Sequence, residues 1–134
     1  MNKTVCVAGA SGLVGSNIVK AALSRGYSVN GTLRDATIKD KAEYLHQLEG
    51  ATNLKLFSAD MQRGSDFDEA LSGTDAVFIA CLIPTYKGPT GIAAKEMEYD
   101  QGYREIIQPT VDGCMEILKA AHKQGLRKAI ICSS

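Results

Sequence analysis

The sequence predicts an α/β protein built on a doubly wound parallel sheet of strand order 3-2-1-4-5, and three observations carry that prediction. Short apolar runs alternate with stretches of helical spacing along all 134 residues, the pattern of successive βαβ units. The first run, Thr4-Val5-Cys6-Val7-Ala8, leads directly into a glycine turn, Gly9-Ala10-Ser11-Gly12-Leu13-Val14-Gly15. Helical spacing begins inside that turn, and right-handed crossovers then wind the sheet outward in both directions from the first strand.

The continuous apolar character of residues 5–8 suits a parallel strand covered on both faces. A first helix over residues 13–25 places Leu13, Val14, Ile18, Val19 and Ala22 on one face, and Gly26 closes it. Residues 27–33 read as strand two, and residues 38–49 as an amphipathic helix with Tyr44, Leu45 and Leu48 inward. Strand three is 54–57. Ser65 is placed to cap a short helix over 66–72, whose acidic first turn suits the helix dipole. Residues 76–82 form a buried fourth strand, followed by a long connection over 83–99. A long helix over 100–124 carries Ile106, Ile107, Thr110, Cys114, Leu118 and Ala121 as its apolar stripe, and Pro109 kinks or restarts it. Residues 128–132 form strand five, where the sheet is truncated and an apolar edge is left open to self-association.

Composition narrows the function. The chain is 45% hydrophobic and 22% charged, ordinary for one globular domain. Fifteen basic residues balance fifteen acidic ones, so no electrostatic footprint for nucleic acid or an anionic membrane is expected. No apolar run reaches the roughly 18 residues of a membrane span, and Met1-Asn2-Lys3 precedes the first strand without a signal-peptide pattern, so a cytoplasmic location is expected. The four cysteines lack metal-ligand spacing and read as free thiols, with no metal site. His46 and His122 fall on polar helix faces.

The glycine turn carries the chemistry. Gly9 permits a tight exit from the strand, and Gly12 lets backbone N–H groups at a helix N-terminus approach a pyrophosphate. Gly15 allows the helix to pack closely on the sheet, and the Ser11 hydroxyl can add a bond to phosphate. Strand, glycine turn and helix together predict a dinucleotide site of the Rossmann type. At the end of strand two, the position that usually holds an acidic residue for a ribose 2′-hydroxyl is Leu33. Arg34 follows it, and Lys41 lies near the start of the next helix. A guanidinium suits a 2′-phosphate, so NADP(H) is favoured over NAD(H). Arg34 also reads as a solvated turn residue beside Asp35. Asp60 and Met61 are placed to meet an adenine, though Asp60 alternatively caps the strand end. Ala80 and Cys81 leave room beside the crevice, which core packing also explains. Ser133 and Ser134 close the last strand.

Read together, "AGASGLVGSNIV", "TLRD", "SAD" with Met61, "DAVFIAC", "PTVDGCMEILKAA" and "KAIICSS" resemble the extended short-chain dehydrogenase/reductases, in particular the branch of dihydroflavonol 4-reductase and cinnamoyl-CoA reductase. The resemblance runs the length of the chain. It implies NADPH-dependent reduction of a small-molecule ketone, aldehyde or thioester. It also implies a cofactor site at Gly9, Ser11, Gly12, Leu13, Val14, Gly15, Arg34, Lys41, Asp60, Met61, Ala80 and Cys81, with Ser134 matching the family's catalytic serine. The family's Tyr-x-x-x-Lys pair is missing, since none of Tyr27, Tyr44, Tyr86, Tyr99 and Tyr103 has Lys four residues later. Residues 1–134 are therefore expected to be an NAD(P)-binding domain without a substrate-binding region, inactive alone. A sugar-nucleotide epimerase or dehydratase fragment and a non-catalytic NADP-binding module or redox sensor are the alternatives.

Overall fold

The computed structural model describes residues 3–81 and 91–132. Five parallel strands, β1 (Thr4–Ala8), β2 (Ser28–Leu33), β3 (Leu54–Ser58), β4 (Ala76–Ile79) and β5 (Ala129–Ile131), form one sheet in the order β3-β2-β1-β4-β5. The predicted topology is therefore the observed one.

Side chains alternate across β1 and divide the core in two. Val5 and Val7 face α1 (Leu13–Ser24) and α2 (Lys39–His46), together with Val19, Leu23, Val29 and Leu45. Cys6 and Ala8 face the other way, toward α3 (Asp68–Leu71) and α5 (Gln108–Lys123), with Phe67, Leu71, Val77, Ile79 and Ile117. Burying each of these larger side chains stabilises the fold by about 1.5–3 kcal/mol, which is why both faces of the central strand read as apolar.

Two helices end in the same way. At the end of α1, Gly26 takes φ +82°, its N–H donates to the Leu23 carbonyl, and the Tyr27 N–H donates to Ala22. Gly125 and Leu126 repeat the arrangement after α5, bonding His122 and Ala121. Both are Schellman closures, and the left-handed residue is glycine because a Cβ there is strained.

Several local expectations are corrected. Leu13 and Val14 are 83% and 51% exposed, because the first turn of α1 overhangs the carboxyl edge of the sheet. Tyr44 is exposed: α2 turns Ala42 and Leu45 inward, leaving Tyr44 one residue off the buried face. Ser65 caps no helix. It lies inside a 3-10 turn, Gly64–Phe67, fixed by backbone bonds from Arg63 to Asp60 and from Asp66 to Arg63. The long helix is α4 (Tyr99–Gly102), a π-helical turn (Tyr103–Ile107) and α5. Pro109 has no N–H to give and its ring crowds the preceding turn, which a wider turn relieves. That extra width rotates the stripe, so Ile106 and Ile117 are buried and Ile107 is exposed. Strand four stops at Ile79, where the chain backs onto the glycine turn. At the sheet edge β5 is exposed along its length, with Ile130 and Ile131 near half exposure. Among the described residues, no helix is long and apolar enough to cross a membrane, and no group of His, Cys, Asp and Glu is arranged to hold a metal ion.

Candidate functional site

The three glycines of the turn do different work. Gly9 adopts φ +83°, and a Cβ there would stand 2.7 Å from the Cys81 nitrogen and 2.9 Å from the Ala80 carbonyl carbon. Both its conformation and its surroundings exclude a side chain. At Gly15 a Cβ would overlap the Gly9 carbonyl oxygen, so this glycine lets α1 sit directly on the turn. Gly12 differs. Its φ of −74° suits any residue, and a Cβ would meet only the Gly9 oxygen, at 3.7 Å. Neither conformation nor packing demands glycine at position 12, and the space a side chain would occupy opens onto a cleft that Gly12 lines.

The turn is fastened to β2 by Thr32, whose carbonyl accepts the N–H groups of Gly9 and Ala10 at 3.2 and 2.8 Å. The Thr32 hydroxyl oxygen also accepts from the Gly9 N–H, at 3.3 Å. Behind the turn, α1 starts without a side-chain cap and without an acidic residue in its first turn. Its leading N–H groups and the positive end of its dipole thus face outward, an arrangement that favours an anion.

The cleft holds about 230 Å³. That is less than the roughly 300–1,000 Å³ of a site for a whole drug-sized ligand, so it seats one part of a longer molecule. Gly9 and Gly12 form one wall. The end of β2 supplies Thr32, Leu33 and Arg34, the end of β3 supplies Ala59, Asp60 and Met61, and Phe67, Ala80 and Cys81 complete the lining. The site thus lies at the carboxyl ends of β1 and β4, where the strand order reverses direction.

Leu33 is 3% exposed and packs into the α1–α2 core, so its side chain offers nothing to a polar ligand. Asp35, a competitor for the neighbouring guanidinium, is occupied. Its Oδ1 accepts from the Thr37 hydroxyl at 2.6 Å and from the Thr37 N–H at 2.9 Å. These two bonds hold its carboxyl below the usual carboxylate range, the hydroxyl bond contributing most. The ion pairs among the described residues are Lys119–Glu116 and Lys123–Asp68, so Arg34 lines the cleft with its charge uncommitted to a carboxylate.

Asp60 does part of what a strand-end cap does: its Oδ1 accepts from the Gln62 N–H at 2.9 Å, and its own N–H donates to Asp66 Oδ2 at 3.2 Å. It also lines the cleft beside Met61. Burial pushes the Cys81 thiol up to about 11, with the neighbouring Cys114 adding to the shift against a lowering backbone bond. Cys6, beneath the turn, is pushed up to about 12 by burial and by Cys81. Neutral thiols at this point make Cys81 a small apolar wall rather than a nucleophile.

The structure brings together Gly9, Gly12, Arg34, Asp60, Met61, Ala80 and Cys81. Ser11, Leu13 and Val14 are exposed on the turn and the first turn of α1 at its mouth, and Gly15 is buried beneath it. Lys41 is exposed on α2 and is not part of the lining. Ser134 lies outside the described residues, as do the neighbouring Ser133 and residues 83–90 of the 83–99 connection. Sequence reasoning missed Thr32, Ala59 and Phe67. Thr32, a polar β-branched residue directly before the Leu33-Arg34 corner, carries nothing in the sequence that sets it apart from any strand threonine.

Residues 9–134 match the family model described as NAD(P)H-binding. The chain is 38% identical over 133 residues to dihydroflavonol 4-reductase of Dianthus caryophyllus, covering 98% of this chain and 34% of that protein. It therefore spans about a third of the length of the curated relatives it matches. Among solved structures it is similar to a yeast methylglyoxal/isovaleraldehyde reductase complexed with NADPH, with a TM-score of 0.72 at 22% identity, over 98% of this chain and 37% of that one. It is also similar to the negative transcriptional regulator NmrA in complex with NAD, with a TM-score of 0.66 at 17% identity, over 97% of this chain and 33% of that one. Both structural likenesses are ones of fold. With its turn, its cleft and this match in agreement, the chain belongs to the NAD(P)H-binding family.

Proposed function

We propose that this chain is the cofactor-binding part of an NADPH-dependent reductase acting on a ketone, aldehyde or thioester carbonyl. The observation that carries the binding half of this reading is Gly12: a glycine that the fold does not require, at an uncapped helix N-terminus, opening onto the cleft. In this reading Gly9, Ser11, Gly12, Leu13, Val14 and Gly15 hold the pyrophosphate. Asp60 and Met61 meet the adenine, and Ala80 and Cys81 border the nicotinamide ribose. NADPH would supply the hydride; the chain's own residues position and neutralise its charged middle. The similarity to dihydroflavonol 4-reductase supports the carbonyl-reducing half, with Ser134 as the residue that would polarise the carbonyl.

The preference for NADP(H) rests on Arg34 with Leu33. A buried leucine offers a ribose 2′-hydroxyl no acceptor, while an arginine uncommitted to Asp35 suits a 2′-phosphate. Lys41 stands farther off on α2 and contributes a longer-range positive charge. Arg34→Ala should cost NADPH about 1.5–3 kcal/mol, roughly 10- to 160-fold in Kd, the range for hydrogen bonds to charged groups. NADH should lose little. Equal losses for both cofactors in a fluorescence titration overturn the 2′-phosphate role.

NADPH oxidation by the purified chain is assayed with an aldehyde or ketone substrate. Without a tyrosine proton donor, no turnover is expected from the chain alone.

A further inference from the structure

We propose that Gly113, a residue outside the cleft, sets the shape of the cleft's adenine end by deciding where Met61 sits. This rests on the reading of the cleft as an NADP(H) site. Met61 is half-buried between two surroundings: on one side it lines the cleft beside Asp60, and on the other it lies against α5. A Cβ at Gly113 would overlap the Met61 Cε and stand 3.1 Å from its Cγ and 3.2 Å from its Sδ. The thioether therefore occupies the notch that the missing side chain leaves in the helix.

Nothing about the backbone asks for glycine there. Gly113 lies inside α5 and is absent from the positive-φ glycines, and a glycine in a helix interior costs the fold stability relative to alanine. Nor do backbone atoms crowd the position as they do at Gly9, since the three nearest atoms all belong to the Met61 side chain. A methionine has three rotatable bonds and yields readily. An added methyl group would be accommodated by Met61 leaving its notch, and the open side available to it is the cleft.

Gly113 is thus a positioning residue: it touches no ligand and acts through Met61. The signature separating this from a general packing role is loss of adenine-dependent affinity without loss of stability. Wild type, Gly113→Ala, Met61→Ala and the double variant are titrated with NADPH and with inorganic pyrophosphate, and their melting temperatures are recorded. Gly113→Ala should weaken NADPH about five- to tenfold, within the coupling seen between residues in contact. Pyrophosphate affinity should be unchanged and the melting temperature equal or higher. On the Met61→Ala background, Gly113→Ala should change NADPH affinity less than about twofold, because the displaced group is gone.

Unchanged NADPH affinity in Gly113→Ala overturns the proposal. So does an undiminished effect on the Met61→Ala background, or a loss that extends to pyrophosphate or is accompanied by a lower melting temperature. A Gly113→Ala chain that fails to fold also overturns it, because the proposal requires Met61 to yield. Wild type that binds no NADPH refutes the cofactor reading instead, and the two failures are distinct.

Discussion

Gly9 and Gly12 stand three residues apart in one turn, yet the structure predicts opposite consequences for replacing them with alanine. At position 9 the methyl group would lie 2.7–2.9 Å from backbone atoms of Ala80 and Cys81, and φ is +83°. The left-handed conformation costs about 1–3 kcal/mol for a non-glycine residue, and overpacking against rigid neighbours adds about 1–3 kcal/mol. The sum, about 2–6 kcal/mol, is a large share of the roughly 5–15 kcal/mol that holds a domain folded. At about 3–5 °C per kcal/mol for a domain of this size, Gly9→Ala should melt at least about 6 °C lower. At position 12 the methyl group meets one oxygen at 3.7 Å, and φ is −74°. Losing a glycine N-cap for alanine costs about 1 kcal/mol or less, and the stiffer unfolded chain returns part of that. Gly12→Ala should melt within about 3 °C of wild type, while its methyl group holds a phosphate away from the backbone N–H groups and weakens NADPH at least about tenfold. Calorimetry and an NADPH titration on the two variants measure both axes. If Gly12→Ala binds NADPH as wild type does, or unfolds as easily as Gly9→Ala, the division of labour between fold and ligand is refuted.

Two further outcomes follow from the core and the edge. Cys6 and Cys81 are raised from the ordinary thiol value to about 12 and about 11, so between pH 9 and those values the folded chain keeps protons that the unfolded chain has lost. Stability is therefore fully present below pH 9 and falls as pH rises through the folded values, by up to about 1.4 kcal/mol per pH unit for each thiol. Urea unfolding at pH 8 to 11 should show a shallower loss for Cys6→Ala than for wild type, and parallel curves contradict the assignment. At the sheet edge, Ile130 and Ile131 are near half exposure on a strand paired on one side only, to β4, which should drive concentration-dependent association that Ile130→Lys relieves. Sedimentation velocity tests this, and a wild-type monomer at high concentration argues against it.

The sheet order was legible because β1, β4 and β5 are apolar runs, β2 and β3 partly alternate, and helical spacing falls between them, signals local to a few residues. Apolar periodicity does not say where a helix overhangs the sheet, so Leu13 and Val14 read as core while standing at the mouth of the cleft. It also assumes a constant turn, so the π-helical turn before Pro109 misassigned Ile107 and left Ile117 out of the stripe. The glycine turn was legible because three glycines at fixed spacing follow a strand. Which glycine serves packing and which serves a ligand was not, because that depends on Ala80 and Cys81, brought beside Gly9 by the pairing of β1 with β4. Thr32 was overlooked for a similar reason: a threonine in a strand is unremarkable until its carbonyl and hydroxyl are seen to meet the turn. The contact of Met61 with Gly113 joins elements far apart in the chain and has no sequence signature at all.

The central claim is that NADPH binds across the turn at the head of α1, with its 2′-phosphate at Arg34. Amide NMR of the isotopically labelled chain, titrated with NADPH and separately with NADH, tests it most directly. The account predicts that both cofactors shift the amides of Gly9 to Gly15, that NADPH alone strongly shifts Arg34 and its neighbours, and that NADPH saturates at the lower concentration. Shifts confined to surfaces away from the turn, or identical responses of Arg34 to the two cofactors, would contradict it.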